Sequence, residues 1–315
     1  MSAHSSPRPP PSVVTPGNHD GVHLGHRALI DATRARADAK GWRALGMCFD
    51  PHPTSVLAAE RAPTLLTRIP RRVELMKGAG CDEVAVLPFD EEFARTPPEV
   101  FVERVLVEVC NARGVVVGPD FHFGHRRAGN IDTLRKLGER YDFDVEVVQP
   151  VIYDGEPVSS TRIRRVLRED GDVALASRML TRVPEGRGRV VVGDRRGRQI
   201  GFPTANLDCG PTQLPADGVY AVVARDLSEP AGGRLAGVAN LGDRPTFEAG
   251  RSVEVYLFDF DGDLYGHDLR VGFVERIRGE VRFDGLDALV AQIGRDVERG
   301  RHAVAEVDKT LLRWI

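Results

Sequence analysis

The chain has 315 residues and a net charge of −3, and 42% of its residues are hydrophobic. This length predicts about two domains, the composition is typical of a soluble globular protein, and the weak charge argues against an electrostatic nucleic-acid interface. No apolar run approaches the roughly 18 residues of a membrane span, and the four cysteines form no CxxC pair, which favours a reduced, cytoplasmic protein.

The first half of the chain has the pattern of a parallel α/β domain. Residues 1–11 are rich in Ser and Pro and are predicted to be a disordered lead-in. From residue 12 to about 182, apolar strands alternate with helical patterns, which predicts a Rossmann-like parallel sheet with helices on both faces. Strands are predicted at residues 13–14, 44–49, 83–87 and 114–118. Helical spacing is shown by Leu29, Ile30, Ala32, Ala35 and Ala39, and again by Val100, Phe101, Val105 and Val109.

The first strand leads into a glycine turn, Gly17-Asn18-His19-Asp20-Gly21-Val22-His23-Leu24-Gly25-His26, which opens a helix. A helix N-terminus offers unpaired N–H groups and a positive dipole end to phosphate. His23 and His26 could direct two imidazole donors at one oxyanion. An ordinary turn explains the pattern as well. Residues 17–20 also spell GNHD, a metallophosphoesterase signature, although no Asp precedes them.

Polar or aromatic residues also follow two later strands. Asp50 and His52 come after the second strand, and Asp120, Phe121 and Phe123 come after the strand at 114–118. Ligands of open α/β sheets bind beyond the carboxyl ends of the strands, so these side chains are candidates for a site. Solvated turns and aromatic core packing are the alternatives.

A further helix start carries Ser159, Ser160, Thr161 and Arg164. One serine is explained as a helix cap. Two serines, a threonine and an arginine are more than a cap requires, and they could hold a polyphosphate through hydroxyl and guanidinium donors.

The pattern changes near residue 183. Short alternating strands at 190–192, 218–224, 235–240, 253–258 and 269–277 predict a small antiparallel β-barrel. A C-terminal helix is predicted from the spacing of Leu286, Leu289, Val290, Ile293 and Val297. A second helical stretch is predicted near Val307, Leu311 and Leu312. Residues 259–263 read as a turn and not as a calcium loop, because Arg270 stands where an EF-hand needs Glu.

Two segments of the second half carry candidate chemistry. Thr204 and Asn206 lie two residues apart in an extended segment, where their oxygens share one face and could bind Mg²⁺. A polar turn would explain Asn206 equally well. Glu254 alternates with apolar neighbours and therefore faces away from the core, as many inert strand glutamates do.

Taken in order, the motifs GNxDGVHLGH, FDPHP, VGxDFxFG, SSTxxR and GFPTANL resemble those of bacterial bifunctional riboflavin kinase/FMN adenylyltransferases. The resemblance implies an adenylyltransferase domain over residues 12–182 and a riboflavin kinase domain over 183–315. It also implies that ATP and Mg²⁺ phosphorylate riboflavin to FMN. A second ATP then donates AMP to FMN, which gives FAD and pyrophosphate.

The resemblance also implies roles for individual residues. Those expected to be catalytic are His23, His26 and Glu254. The expected ATP and phosphate contacts are Gly17, Asp20, Gly25, Ser160, Thr161, Arg164, Gly193, Gly197 and Thr204. The expected flavin contacts are Asp50, His52, Asp120, Phe121 and Phe123, and the expected Mg²⁺ ligands are Thr204 and Asn206. The partners expected are small-molecule substrates, with no nucleic acid or membrane.

The chain departs from the family at several positions of the first half. His19 stands where Phe is common, and His122, His125 and Asn130 replace Arg, Lys or Arg, and Asp. These differences leave two alternatives: a riboflavin kinase whose first half is weakened or has another substrate, and a non-catalytic flavin-binding regulatory protein. Intact Glu254 and PTAN speak against the second alternative.

Overall fold

The computed structural model describes residues 9–193, 197, 200–229, 231–243 and 251–315. Contacts divide the chain into two compact units: residues up to Pro63 with Thr67–Ser159, and Thr64–Leu66 with Ser160–Ile315. Packing therefore assigns the helices after Ser159 to the second unit, while the boundary predicted between two activities near residue 182 stays a prediction. Among the described helices, none is both long and apolar enough to cross a membrane.

The first unit is built on a five-stranded parallel sheet with the strand order β3-β2-β1-β4-β5. Its strands are β1 (Ser12–Pro16), β2 (Arg43–Asp50), β3 (Glu83–Pro88), β4 (Ala112–Val117) and β5 (Asp144–Val147). Val14 and Val115 are fully buried, and they belong to the cluster of apolar side chains that forms the core of this unit. The prediction of a Rossmann-like parallel sheet is confirmed.

Helices connect these strands. They are α1 (Leu24–Lys40), α2 (Pro53–Leu57), α3 (Ile69–Ala79), α4 (Glu91–Ala94), α5 (Pro98–Phe101), which continues as a π-helix over Val102–Val109, and α6 (Ile131–Tyr141). Short 3₁₀ turns cover Ala59–Arg61 and His125–Arg127, and a small hairpin pairs β6 (Ile152–Tyr153) with β7 (Glu156–Pro157).

Two details of the predicted helix faces are wrong. In α1 the buried residues are Ile30, Thr33 and Ala37, whereas Ala35 and Ala39 are exposed. Thr33 can be buried because its hydroxyl donates to the carbonyl of Leu29 at 2.7 Å.

The second correction concerns Val109, which is 57% exposed. The residues before it form a π-helix, whose i→i+5 hydrogen bonds break the ordinary helical period. The buried side chains of this segment are therefore Val102, Val105 and Leu106.

The second unit contains two helices followed by a closed barrel with the strand order β10-β11-β12-β9-β8-β13. Helix α7 (Ser160–Arg165) continues as a π-turn over Val166–Asp170, and α8 (Val173–Leu180) follows. The barrel strands are β8 (Glu185–Val191), β9 (Ala205–Asp208), β10 (Gly218–Asp226), β11 (Leu235–Asp243), β12 (Arg251–Leu257) and β13 (Asp268–Arg278). All pairings are antiparallel, so the predicted barrel is confirmed.

The predicted C-terminal helix is present as α9 (Leu286–Glu306). Its first residue, Leu286, is 60% exposed, and the buried face begins further along at Asp296 and Val297. The second predicted helix near residues 307–312 is wrong, because α9 ends at Glu306 and the chain continues in tight turns. These turns place Leu312 and Ile315 in one buried cluster with Val183 and Val223.

An ion pair joins two neighbouring barrel strands at the end of the barrel where β13 begins. Nδ1 of His267 lies 2.7 Å from Oδ2 of Asp226, the last residue of β10. The hydrogen bond with Asp226 raises the pKa of His267. Burial alone would raise the pKa of Asp226, but the hydrogen bond with His267 helps to lower it overall. The carbonyl of His267 also accepts the N–H of Val190 from β8, so three strands meet here.

We expect the His267–Asp226 pair to make the stability of the barrel unit depend on pH. A histidine whose folded pKa is raised stabilises the fold fully below its unfolded pKa of about 6.5, and this contribution is lost as pH rises through the folded pKa. The difference in Tm between wild type and His267→Asn should therefore be larger at pH 6 than at pH 9. The exposed His302→Asn is the matched control, and an equal Tm difference at both pH values would contradict the expectation.

Candidate active sites

The carboxyl ends of three neighbouring strands bear most of the predicted residues of the first unit. β1 lies between β2 and β4, and the chain runs outward through β2 and β3 before it returns to β4 on the other side of β1. The strand order thus reverses between β1 and β4. In open α/β sheets such a reversal forms the crevice in which ligands bind.

The turn after β1 has an unusual backbone. His19, Gly21 and Val22 all have positive φ angles, of 49°, 92° and 43°. A β-branched residue rarely adopts this conformation, so Val22 marks backbone strain at the candidate site. The N–H of Gly21 donates to Oγ1 of Thr67 at 3.0 Å, which helps to hold the turn. The strained turn connects the end of β1 to the start of α1.

His23 and His26 lie together at the N-terminus of α1. His23 is the N-cap, and its Nδ1 accepts the backbone N–H of His26 at 3.4 Å. The two imidazoles stack with their centroids 3.6 Å apart and their planes at 17°. A Cβ on Gly25 would lie 3.2 Å from the His23 ring, so glycine leaves room for this stack. The structure therefore brings the two predicted histidines to the positive end of a 17-residue helix.

A third imidazole contacts this pair. His19 is 2% exposed, and burial, together with the charge of Arg72, lowers its pKa to about 4. Its Nε2 lies 3.1 Å from the carbonyl oxygen of Thr15. Its ring meets that of His26 edge-on, with centroids 5.1 Å apart. Gly17 lies against the same ring, since a Cβ there would be 3.2 Å from Nε2 of His19.

Asp20, a predicted ATP contact, lies in the interior. Its Oδ1 accepts from Nη2 of Arg72 at 3.0 Å, from the N–H of Thr67 at 2.8 Å and from Oγ1 of Thr67 at 3.0 Å. The side chains of Asp20 and Arg72 are 2% and 1% exposed. The observed contacts of Asp20 therefore anchor the turn to the start of α3, and its contact with ATP stays a prediction.

The residues after β2 lie beside the turn. His52 caps α2 by accepting the N–H of Thr54 on Nδ1 at 3.2 Å, and its Nε2 lies 3.0 Å from Nδ2 of Asn18. Asp50 is exposed at the end of β2 and precedes a cis peptide bond to Pro51. The structure thus brings His52 to the glycine turn, with the carboxylate of Asp50 open to solvent nearby in the chain.

The aromatic residues after β4 divide between surface and core. Phe123 is 7% exposed and belongs to the core cluster, and a Cβ on Gly129 would lie 2.8 Å from its ring. Phe121 is half-buried and stacks on Phe123 with centroids 5.6 Å apart. Asp120 is exposed. Phe121 and Asp120 are therefore accessible to a ligand, whereas Phe123 supports Phe121 from the core.

The three residues after β4 that differ from the family pattern each make a contact within the first unit. Asn130 caps α6, with Oδ1 accepting the N–H of Thr133 at 2.9 Å, as an aspartate would do. Nδ1 of His122 lies 2.9 Å from the carbonyl oxygen of Asp120, and Nδ1 of His125 lies 3.2 Å from that of Ala94.

The SSTxxR segment starts at the division between the units. The carbonyl of Val158, which precedes it and belongs to the first unit, would lie 3.4 Å from a Cβ on Gly25. Ser160 begins α7, Thr161 is exposed, and Nε of Arg164 donates to the carbonyl of Thr64 at 2.7 Å.

In the second unit the strand register brings together two predicted residues. Glu254 on β12 pairs directly with Asn206 on β9 and with Asn240 on β11. Directly opposed residues on neighbouring strands have their side chains on the same face of the sheet. Val253 and Val255 are each 1% exposed in the barrel core, so Glu254 and Asn206 share the outer face.

Gly193 lies against the side chain of Asn206. A Cβ on Gly193 would lie 2.3 Å from Nδ2 of Asn206, so no other residue fits there without movement. Oδ1 of Asn206 is buried and has no hydrogen-bond partner among the described residues. A Cβ on Gly197 would lie 3.5 Å from Oγ1 of Thr204. Residues 194–196, between the two glycines, lie outside the described part of the chain.

Thr204 also lines a cavity of about 410 Å³. The other lining residues are Val190, Pro203, Ala205, Val255, Leu257 and residues 260–265. The segment predicted only as a turn after β12 therefore forms one wall of a cavity beside a predicted phosphate contact.

Two protein-family models match the chain, one after the other in sequence. The FAD synthetase model matches residues 5–162, and the riboflavin kinase model matches residues 180–304. The bifunctional riboflavin kinase/FMN adenylyltransferase of Escherichia coli K12 is 40% identical over 285 residues, which is 90% of each chain. The chain belongs to this family.

Two further proteins are similar to this chain over more than nine-tenths of its length. The bifunctional riboflavin kinase/FMN adenylyltransferase of Pseudomonas fluorescens is 39% identical over 295 residues, 93% of each chain. A crystal structure named for a macrolide-efflux protein of Streptococcus pneumoniae matches with a TM-score of 0.83 and 32% identity, covering 94% of this chain and 95% of that one. Membership of the riboflavin kinase/FMN adenylyltransferase family excludes the metallophosphoesterase reading of GNHD.

Sequence reasoning missed the residues that support the two sites in this member of the family. Arg72 and Thr67 hold Asp20, and residues 260–265 line the cavity next to Thr204. The only sequence signal that residues 260–265 lie close to the kinase site is their position directly after the strand that carries Glu254. Arg72 and Thr67 carry no such signal, because their contacts with Asp20 are distant in sequence.

We expect Arg72→Met to destabilise the first unit strongly, because it leaves the carboxylate of Asp20 buried without its cation. The free energy of unfolding in urea should fall by about 3–5 kcal/mol. Asp20→Asn combined with Arg72→Met should recover much of that loss, since no buried charge remains.

Arg43→Met is the matched control. It breaks the pair with Glu83, whose side chain is 57% exposed, and such surface pairs contribute about 0–1 kcal/mol. An equal loss in Arg72→Met and Arg43→Met would contradict the importance of the buried pair.

Proposed function

We propose that the protein catalyses two consecutive reactions: transfer of the γ-phosphoryl group of ATP to riboflavin, and transfer of AMP from a second ATP to the resulting FMN. The observation that carries this proposal is that the described residues contain two separate candidate nucleotide sites. One is the histidine pair on the N-terminus of α1, and the other is the Glu254–Asn206 pair on the barrel, with Gly193 against Asn206.

In adenylyl transfer, a phosphate oxygen of FMN attacks the α-phosphorus of ATP, and the bond from that phosphorus to pyrophosphate breaks. We propose that His23 and His26 donate to the α-phosphate as negative charge develops, assisted by the dipole of α1. Gly17 and Gly25 allow close approach of the nucleotide. Ser160, Thr161 and Arg164 would retain the outgoing pyrophosphate, as the family resemblance implies.

The flavin of FMN is proposed to bind at the accessible residues after β2 and β4. Asp50, Asp120 and Phe121 are exposed or half-buried, and Phe121 offers a ring for stacking. His52 is held by Asn18 next to the turn. Phe123 would act from behind, by supporting Phe121.

In the kinase reaction, Glu254 is proposed to accept the proton of the ribityl 5′-hydroxyl as the hydroxyl oxygen attacks the γ-phosphorus of ATP. The bond from that phosphorus to the bridging oxygen breaks, and ADP leaves. Phosphoryl transfer depends mainly on alignment and charge neutralisation, so modest base assistance is sufficient. Gly193 and Gly197 would bring backbone N–H groups to the phosphates. Because Thr204 lines the cavity of about 410 Å³, we propose that the nucleotide of ATP enters there.

The residues present fit a magnesium ion. Oδ1 of Asn206 is a buried oxygen that lacks a donor among the described residues, and Mg²⁺ prefers such oxygen ligands together with phosphate. Asn206 and Thr204 would hold the ion, which would neutralise charge on the ATP phosphates. Riboflavin, FMN and ATP are the proposed partners, without nucleic acid. A reducing, cytoplasmic location is proposed from the four cysteines, which are buried and not disulfide-bonded.

We expect His26→Ala to stop the reaction at FMN. Loss of one donor to the developing charge should lower kcat for FAD formation by about 10²–10³-fold, while riboflavin phosphorylation in the other unit is unchanged. Chromatography of flavins formed from riboflavin, ATP and Mg²⁺ measures both steps in one assay. FAD formation at the wild-type rate would overturn the role of His26, and FMN as the sole product of wild type would overturn the second activity.

We expect Glu254→Gln to lower kcat for FMN formation by about 10²–10⁴-fold, because the amide keeps the shape of the side chain but cannot accept the proton. FAD formation from added FMN should be unaffected. Glu275→Gln, the same change on β13 where the side chain pairs with Arg299, is the matched control. Equal rates of FMN formation in the two variants would contradict a base role for Glu254.

A further inference from the structure

His19 is a buried titratable group that the proposed mechanism does not use. It lies at a positive φ of 49° and is 2% exposed. Burying an imidazole that has one nitrogen without a hydrogen-bond partner among the described residues costs free energy, and so does a positive φ at a residue other than glycine. Such features concentrate at functional sites. The neighbours of this ring therefore bear on its role.

The hydrogen bond of His19 fixes its tautomer. Burial holds its pKa at about 4, so the ring is neutral near pH 7. A carbonyl oxygen can only accept, so the contact of 3.1 Å with Thr15 places the proton on Nε2. Nδ1 is then an unprotonated acceptor, buried and without a hydrogen-bond partner among the described residues. The ring thus brings no positive charge to its surroundings, although Arg72 and Asp20 lie close by.

The contacts of His26 show what the neutral ring does. One face of His26 stacks on His23 at 3.6 Å, and the edge contact with His19 at 5.1 Å is nearly perpendicular, at 79°. His26 is therefore bounded by two aromatic rings, and its ring cannot turn without losing one contact. A cation at the position of His19 would oppose positive charge on His26, and the neutral ring avoids this.

We propose that His19 is a positioning residue for adenylyl transfer, whose neutral aromatic ring holds His26 stacked on His23 in the orientation that meets the α-phosphate. The inference rests on the proposed adenylyltransferase function. The property of His19 that matters for adenylyl transfer is then its planar ring, and that ring acts only through His26.

Two substitutions separate the ring from other effects of the side chain. His19→Phe keeps a planar ring, whereas His19→Leu keeps apolar bulk without a ring, and both residues bear the same penalty for a positive φ. We expect kcat for FAD formation in His19→Phe to stay within about threefold of wild type and to fall about tenfold in His19→Leu. The KM for ATP and the rate of riboflavin phosphorylation should be unchanged in both variants.

A double-mutant cycle tests whether His19 acts through His26. In a His26→Ala background, His19→Leu should have no further effect on kcat, because the positioned ring is already absent. A tenfold loss in both backgrounds would overturn the proposal, as would equal losses in His19→Phe and His19→Leu or a wild-type kcat in His19→Leu.

An NMR measurement distinguishes failure of the inference from failure of the proposed function. The ring-current shift of the His26 Cε1–H should persist in His19→Phe and change in His19→Leu, whether or not FAD forms. If wild type forms no FAD but this pattern holds, the proposed function fails and the contact stands. An unchanged His26 signal in His19→Leu would overturn the contact itself.

Discussion

Asp20 and Arg72 form an ion pair whose side chains are 2% and 1% exposed, and so deep a pair destabilises a fold unless its hydrogen bonds are satisfied. Oδ1 of Asp20 receives two further hydrogen bonds from Thr67. These contacts join the turn after β1 to the start of α3. The N-terminus of α1 begins only a few residues beyond this anchor, so the position of His23 and His26 depends on it.

The anchored turn contains strained backbone next to the candidate catalytic residues His23 and His26. His19 and Val22 hold left-handed conformations that cost of the order of 1–3 kcal/mol each. They persist because Asp20, between them, is fixed by its buried partners. Within this turn and the first residues of α1, three imidazoles and the positive end of a helix dipole meet at the point where the sheet order reverses.

The sequence could predict those parts of the architecture that depend on residues close together in the chain. Strand and helix alternation predicted the parallel sheet, and glycines beside histidines predicted the turn at the end of β1. The exposure of Val109 could not be predicted, because the i→i+5 hydrogen bonds of the π-helix break the helical period on which the prediction rested. The turns that replace a helix near Leu312 could not be predicted either, because they depend on packing against Val183, a residue distant in sequence. The contact of Arg72 with Asp20 could not be predicted either, because the two residues are 52 positions apart and meet only in the folded protein. For Phe123, sequence could not decide between flavin contact and core, and Gly129 shows that its ring packs inward.

The barrel positions its candidate base by a different physical rule. Glu254 lies between Val253 and Val255, and each of these is 1% exposed in the core. A slip of one residue in the pairing of β12 would turn both valines to solvent and Glu254 inward, so hydrophobic burial fixes the register. That register sets Glu254 opposite Asn206, whose amide occupies the space left by Gly193. The apolar core of the barrel therefore determines where the carboxylate and the oxygen proposed to bind magnesium meet.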